Sequence, residues 1–267
     1  MNSINLVGST FSHLSNGNKG YSVHGKQSKY IDWKFDNTLG ITFYIDEDLD
    51  TAFVDDVHGI KYGWLLECKF LTPGILNRVK NNYEHYFEVF RYIFTNDKEL
   101  LDLDPRFKWC PTGGFWVKEP KLYPKSKLIS CISSDKCIIP GHFTRLEWVN
   151  KIKNRVDLYG RGFNTITEKE EGLCDYMFSV AIENAVYQTY FTEKILDCFA
   201  TGTIPVYLGT PDIVNYFNAD GIITLVDDFV VSEELYYDKM DTIKDNLERV
   251  KKFEVLEDFI FTTYDII

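Results

Sequence analysis

The residues whose types and spacing suit chemistry are concentrated in FSVAIENAVYQTYFTEKILDCFATGTIPVYLG, residues 178–209. An apolar run there ends at Glu183 and Asn184, and a polar loop leads to Thr192, Glu193 and Lys194 at the start of a helix. The first N–H groups of a helix have no partner inside it. With the positive end of the helix dipole they make a site for an anion, to which Lys194 adds a full charge. Glu193, in the same turn, can accept from ribose hydroxyls. One helical turn thus carries groups for both the phosphates and the sugar of a nucleotide. The same residues also make an ordinary helix start, with Thr192 as cap and Glu193 and Lys194 solvated. Taken alone, they leave both readings open.

The order Phe178, Glu183, Asn184, Tyr190, Thr192, Glu193, Lys194, Gly202, Pro205, Gly209 resembles the signature of glycosyltransferase family 10, the α-1,3/1,4-fucosyltransferases. That signature runs F-x-x-x-x-E-N, a spacer, Y-[VIF]-T-E-K, then G-x-x-P-[VI]-x-x-G. A looser resemblance covers about residues 126–230, including VDLYG at 156–160 and VDDF at 226–229. It implies an α/β, GT-B-like fold of two Rossmann-type lobes with an interdomain cleft, the N-terminal lobe being reduced.

By the same resemblance Lys194 is a phosphate-binding lysine and Glu193 a ribose-binding glutamate, while Asn184 and Tyr190 line the nucleotide pocket. Arg145, in SSDKCIIPGHFTRLEW, stands where the family has an arginine at the start of a helix; the alternative is a surface helix residue. The likeness weakens toward the N-terminus. There Glu67, in YGWLLECKF just before Thr72-Pro73-Gly74, is the best counterpart of the family's general base, with a structural salt bridge as the alternative. Asp46, Glu47, Asp48 and Glu119 are further acids to consider.

The implied reaction is inverting transfer of L-fucose from GDP-fucose to a glycan hydroxyl. An oxocarbenium-like transition state needs a carboxylate to take the hydroxyl proton and positive groups to meet the charge on the departing diphosphate. Arg145, Lys194 and the helix N-terminus would supply the second need without an obligatory metal. Three rivals stand beside this. One is a metal-dependent transferase using an acidic pair such as Asp46-Glu47-Asp48, Asp48-Leu49-Asp50 or Asp102-Leu103-Asp104. Another is a non-catalytic nucleotide-sugar or glycan-binding module. The third keeps fold and mechanism but changes the donor, because the T-E-K turn specifies neither fucose nor guanine.

The elements that position these residues follow from the hydrophobic pattern. After residue 127, LISCISS, VDLYG, YMFSVAIE, IPVYLG and GIITL read as strands. FTRLEWVNKIKN and TEKILDCFATG read as helices between them, and Ser232–Phe253 as a charged amphipathic helix. Strands alternating with helices imply a parallel sheet whose ligands lie beyond the carboxyl ends of the strands. Before residue 111 the pattern is weaker: INLVG, ITFYI, KYGWLLE and RYIFT read as strands, and ILNRVKNNYEHYFEVF has helical spacing. PTGGFWVKEPKLYPKSK, residues 111–127, reads as a linker. It divides an acceptor-binding lobe at 1–120 from a nucleotide-sugar-binding lobe at 121–267, whose last helix is free to pack back on the first lobe. Gly8, Ser9 and Thr10 lack the lysine of a P-loop and read as a cleft-lining loop.

A net charge of −11 argues against nucleic acid and anionic lipid as partners, so phosphates must meet a local basic pocket. The N-terminal residues do not have the form of a signal peptide, and no run is long enough for a membrane span. Six cysteines without a C-x-x-C pair read as reduced thiols, and the expected location is the cytoplasm. Most of the 17 Tyr and 20 Phe are expected in the core.

Overall fold

The structure is a computed structural model and describes residues 1–8 and 26–267. Ser9 and Thr10 of the expected loop lie outside the described residues. The chain forms two compact units, Met1–Gly113 with Val255–Ile267, and Gly114–Glu254. The units divide at Gly113/Gly114, earlier than the 120/121 boundary drawn from composition. Residues 116–117 belong with the second unit because their N–H groups donate to the buried Asp197 carboxylate, at 2.6 Å from Trp116 and 3.2 Å from Val117. A helix beyond the last one expected, Leu256–Thr263, belongs to the first unit, while the expected segment 232–253 stays in the second.

In the first unit, β1 (Asn2–Val7), β2 (Ile31–Lys34), β3 (Ile41–Ile45), β4 (Ile60–Leu65), β5 (Phe90–Thr95) and β6 (Phe107–Trp109) form a six-stranded sheet ordered β2-β1-β3-β4-β5-β6. Every pairing in it is parallel. Alternation puts Phe43, Tyr62, Trp64 and Phe94 in one aromatic layer, with Phe43 5.0 Å from Tyr62 and 5.7 Å from Phe94. The C-terminal helix, Leu256–Thr263, joins this layer: its buried Glu257 accepts from Trp33 Nε1 at 3.1 Å. On the other side Tyr44, Leu65 and Ile93 pack with Leu49 of the 3₁₀ helix Asp46–Phe53. Ile75 and Val79 of α1 (Pro73–Asn81) and Tyr86 of α2 (Tyr83–Val89) complete that cluster. β2, β6 and α3 (Lys98–Leu103, capped by Asp97) were not apparent in the sequence pattern.

In the second unit, β7 (Lys127–Ile132), β8 (Asp157–Tyr159), β9 (Tyr176–Ile182), β10 (Ile204–Leu208) and β11 (Ile223–Thr224) form a parallel sheet ordered β11-β10-β9-β7-β8. β9 is its centre and all seven of its residues are buried, as a strand covered on both faces requires. Phe178, Val180 and Ile182 pack with Val149 and Ile152 of α4 (Pro140–Ile152) and with Val206 and Tyr236. α5 (Glu193–Ala200) crosses from β9 to β10 and stops at Gly202, whose φ of +68° suits glycine. The expected single helix over 232–253 is broken at Lys239 into α6 (Glu233–Asp238) and α7 (Met240–Val250), followed by a 3₁₀ turn. No helix among the described residues is long and apolar enough to cross a membrane.

Candidate active site

Three neighbouring strands of the second sheet, β7, β9 and β10, end at the same edge, and their carboxyl ends carry most of the sequence-predicted residues. β9 delivers Glu183 and Asn184. β7 leads through residues 133–139 into α4, which carries Arg145. β10 leads to Gly209 and Thr210.

Thr192 caps α5, its hydroxyl accepting from Lys194 N–H at 3.3 Å. The cap is itself held by Glu183. One carboxylate oxygen accepts the Thr192 N–H at 2.9 Å, and the other accepts its hydroxyl at 2.7 Å. Tyr207 donates to the same carboxylate at 3.4 Å. Some N–H groups expected to face an anion are therefore already satisfied inside the protein.

Lys194 is not a solvated first-turn residue. Its side chain is 19% exposed, and Nζ donates to Thr192 Oγ1 at 3.1 Å and Glu193 Oε1 at 3.2 Å, with Glu183 Oε2 at 3.7 Å. Burial opposes the ammonium charge. Glu193 and Glu183 outweigh it and hold the lysine above its ordinary pKa. Burial likewise pushes Glu183 upward, against the pull of Lys194. Both partners are held by the pair, and the cation stays charged.

Arg145 is buried rather than a surface helix residue. One guanidinium nitrogen donates to Asn184 Oδ1 at 2.7 Å, and the other to Ser134 O, Ser134 Oγ and Lys136 O at 3.2–3.3 Å. Nε is buried with no acceptor among the described residues. Gly141 makes this approach possible, since a Cβ there would lie 1.7 Å from Asn184 O. Burial lowers the Arg145 pKa, yet a guanidinium stays charged. A buried cation with an unused donor, close enough for its charge to act on Lys194, gives this edge an anion-binding character.

Tyr190 is buried and stacks on Tyr187, with centroids 4.5 Å apart. A residue that sequence reasoning did not single out, His142, adjoins the site. His142, in the first turn of α4, accepts from Ile138 N–H at 3.0 Å through Nδ1. Burial first, then Arg145, Lys136 and Lys194, lower its pKa and keep it neutral. The only signal for it is its place two residues after Pro140 at a helix start.

Glu67 is in the first unit, after the carboxyl end of β4, whereas Arg145, Asn184, Tyr190, Glu193 and Lys194 are all in the second. It is part-buried, and its carboxylate makes no hydrogen bond or ion pair among the described residues; the alternative salt bridge is absent there. The competing acids are engaged elsewhere. Asp46 accepts the N–H groups of Leu66 and Glu67, Glu47 pairs with Arg78 at 2.5 Å, and Glu119 pairs with Lys121 at 2.5 Å. Of the D-x-D matches, Asp50 pairs with Arg78, Asp102 with Lys98, and Asp104 with Arg106. Among the described residues no group of three His, Cys, Asp or Glu is placed to hold a metal ion.

Comparison with known proteins extends this geometry. Residues 122–255 match the model of the C-terminal domain of glycosyltransferase family 10 (fucosyltransferase). A Bos taurus 4-galactosyl-N-acetylglucosaminide 3-α-L-fucosyltransferase 9 is 27% identical over 207 residues, 74% of this chain and 54% of the relative. A Helicobacter pylori α-(1,3)-fucosyltransferase is 36% identical over 66 residues, 25% of this chain and 14% of that protein. The chain thus spans about half the length of the first of these relatives. A crystal structure of an α1,3-fucosyltransferase with GDP-fucose superimposes with a TM-score of 0.52 at 18% identity, covering 93% of this chain and 80% of that one. The fold is therefore that of the GT-B glycosyltransferases, with two parallel-sheet α/β units. By the match over residues 122–255, the chain belongs to glycosyltransferase family 10.

Proposed function

We propose that this protein is an inverting glycosyltransferase that moves L-fucose from GDP-fucose to a glycan hydroxyl, with no obligatory metal. The observation that carries the reading is the pair of cations, buried Arg145 with its Nε unused among the described residues and part-buried Lys194 at the start of α5. A diphosphate meets both. When the Lys194 ammonium turns to phosphate it releases Glu193, whose carboxylate then accepts from the ribose hydroxyls. Asn184 and Tyr190 complete the nucleotide pocket. As the bond from the anomeric carbon to the diphosphate oxygen breaks, the charge on the leaving group is stabilised by groups already in place. The acceptor hydroxyl attacks from the opposite face and gives its proton to Glu67.

Family membership and the structural neighbour described with GDP-fucose support this donor. The bovine relative is named for a 4-galactosyl-N-acetylglucosaminide, and that class of glycan is the acceptor we assign. Transfer from GDP-fucose to such an acceptor, with the product anomer read by NMR, tests the proposal. A β-linked donor sugar should give an α-linked product, with activity surviving a chelator. Stabilisation by a different nucleotide sugar, with none from GDP-fucose, would change the donor; retention of configuration would change the mechanism.

A further inference from the structure

Asp46 stands at the junction of β3 and the 3₁₀ helix Asp46–Phe53, with no linker between them. Its φ is +47°, one of two positive values among non-glycine residues described. Such conformations persist where the surroundings over-determine them. Here two constraints do so. On the helix side, Leu49 and Ala52 are buried in the core beneath the sheet. On the strand side, Asp46 is 4% exposed, and its Oδ1 accepts the N–H groups of Leu66 at 2.8 Å and Glu67 at 3.2 Å.

β3 and β4 are adjacent, with Ile45 opposite Trp64, so their chain ends lie side by side. Past Leu65 the chain leaves the β-ladder. Its next two N–H groups, which would need a partner, go to Asp46 rather than to a strand. The backbone of residue 67 is thereby fixed while its side chain makes no hydrogen bond or ion pair among the described residues.

We propose that Asp46 is a positioning residue for Glu67: it clamps the backbone at 66–67 so that the Glu67 carboxylate is presented at the end of β4 without a partner. This rests on the assignment of Glu67 as the base. The clamp needs an acceptor oxygen, and asparagine keeps that oxygen and tolerates positive φ. Glycine accepts the φ but removes the oxygen.

The test compares Asp46→Gly, Asp46→Asn and Glu67→Gln in steady-state transfer from GDP-fucose to a 4-galactosyl-N-acetylglucosaminide. Asp46→Gly should lower kcat at least tenfold with the donor KM within about twofold, and Asp46→Asn should restore most of it. Asp46→Gly should add little to the loss in a Glu67→Gln background. Hydrogen exchange at the Leu66 and Glu67 amides should be slow in wild type and in Asp46→Asn, and fast in Asp46→Gly. If Asp46→Gly does not fold, Asp46→Asn carries the test: it should keep kcat within about threefold of wild type and both amides slow to exchange, and a roughly tenfold loss overturns the clamp. Near-normal turnover in the glycine variant, or an asparagine variant as impaired as glycine, overturns the clamp. Near-normal turnover in Glu67→Gln overturns the base assignment instead, and the clamp's role in catalysis with it.

Discussion

The carboxylate of Glu183 holds Thr192 by both of its donors, the backbone N–H at 2.9 Å and the hydroxyl at 2.7 Å. The end of the central strand is therefore tied directly to the first residue of α5, and the Thr192 hydroxyl passes the contact on to Lys194. Thr192→Val keeps the shape, removes the cap and leaves part of a buried carboxylate unsatisfied. It should cost about 1–3 kcal/mol in denaturant unfolding, whereas Thr192→Ser should cost well under that. Equal stability of the valine variant and wild type would show that the hydroxyl contributes nothing.

Glu193 should divide the nucleotide from its phosphates. If its carboxylate takes the ribose hydroxyls, Glu193→Ala should weaken GMP as much as GDP, by roughly ten- to a hundredfold. A loss confined to GDP, measured by calorimetry, would assign Glu193 to holding Lys194 alone.

Glu67→Gln should leave the affinity for GDP nearly intact and lower turnover by about a hundredfold or more, because the amide keeps the shape and cannot take the proton. Measuring GDP affinity and kcat on the same preparation separates the two. Turnover close to wild type would move the base elsewhere.

Glu257 should make the stability of the fold pH-dependent. Burial raises its pKa to about 7, with Trp33 Nε1 donating to one oxygen and the other oxygen without a partner among the described residues. A carboxyl raised in the folded state stabilises most below its unfolded pKa, near 4.5, and that stability is lost as pH rises through about 7. A shift of this size is worth on the order of 3 kcal/mol. Glu257→Gln should flatten the unfolding free energy between pH 4.5 and 7.5 relative to wild type. An identical slope in the two proteins would mean that Glu257 does not titrate there.

The sequence was most legible where chemistry is carried by neighbours in the chain. The fully apolar β9, the polar break at Glu183-Asn184 and the Thr192-Glu193-Lys194 turn are local patterns, and they fold as local patterns predict. Roles that depend on distant partners were hidden. Residues 111–127 have a linker's composition, yet Trp116 and Val117 are anchored by Asp197, 81 and 80 positions on. Asp46 looked like a candidate base or half of a D-x-D pair because nothing at residue 46 shows that residues 66 and 67 will lie beside it. The anion site at α5 was expected to consist of unpartnered N–H groups, but Thr192 and Glu183 use part of them. β2 and β6 were missed because four and three residues are too few to show a period.

The most direct measurement is calorimetric titration of GDP into wild type, Arg145→Ala and Lys194→Ala. Each variant removes a charged hydrogen-bond donor proposed to face the diphosphate, and each should weaken GDP by roughly ten- to a hundredfold while remaining folded. Unchanged GDP affinity in both variants would contradict the assignment of this strand edge as the donor site.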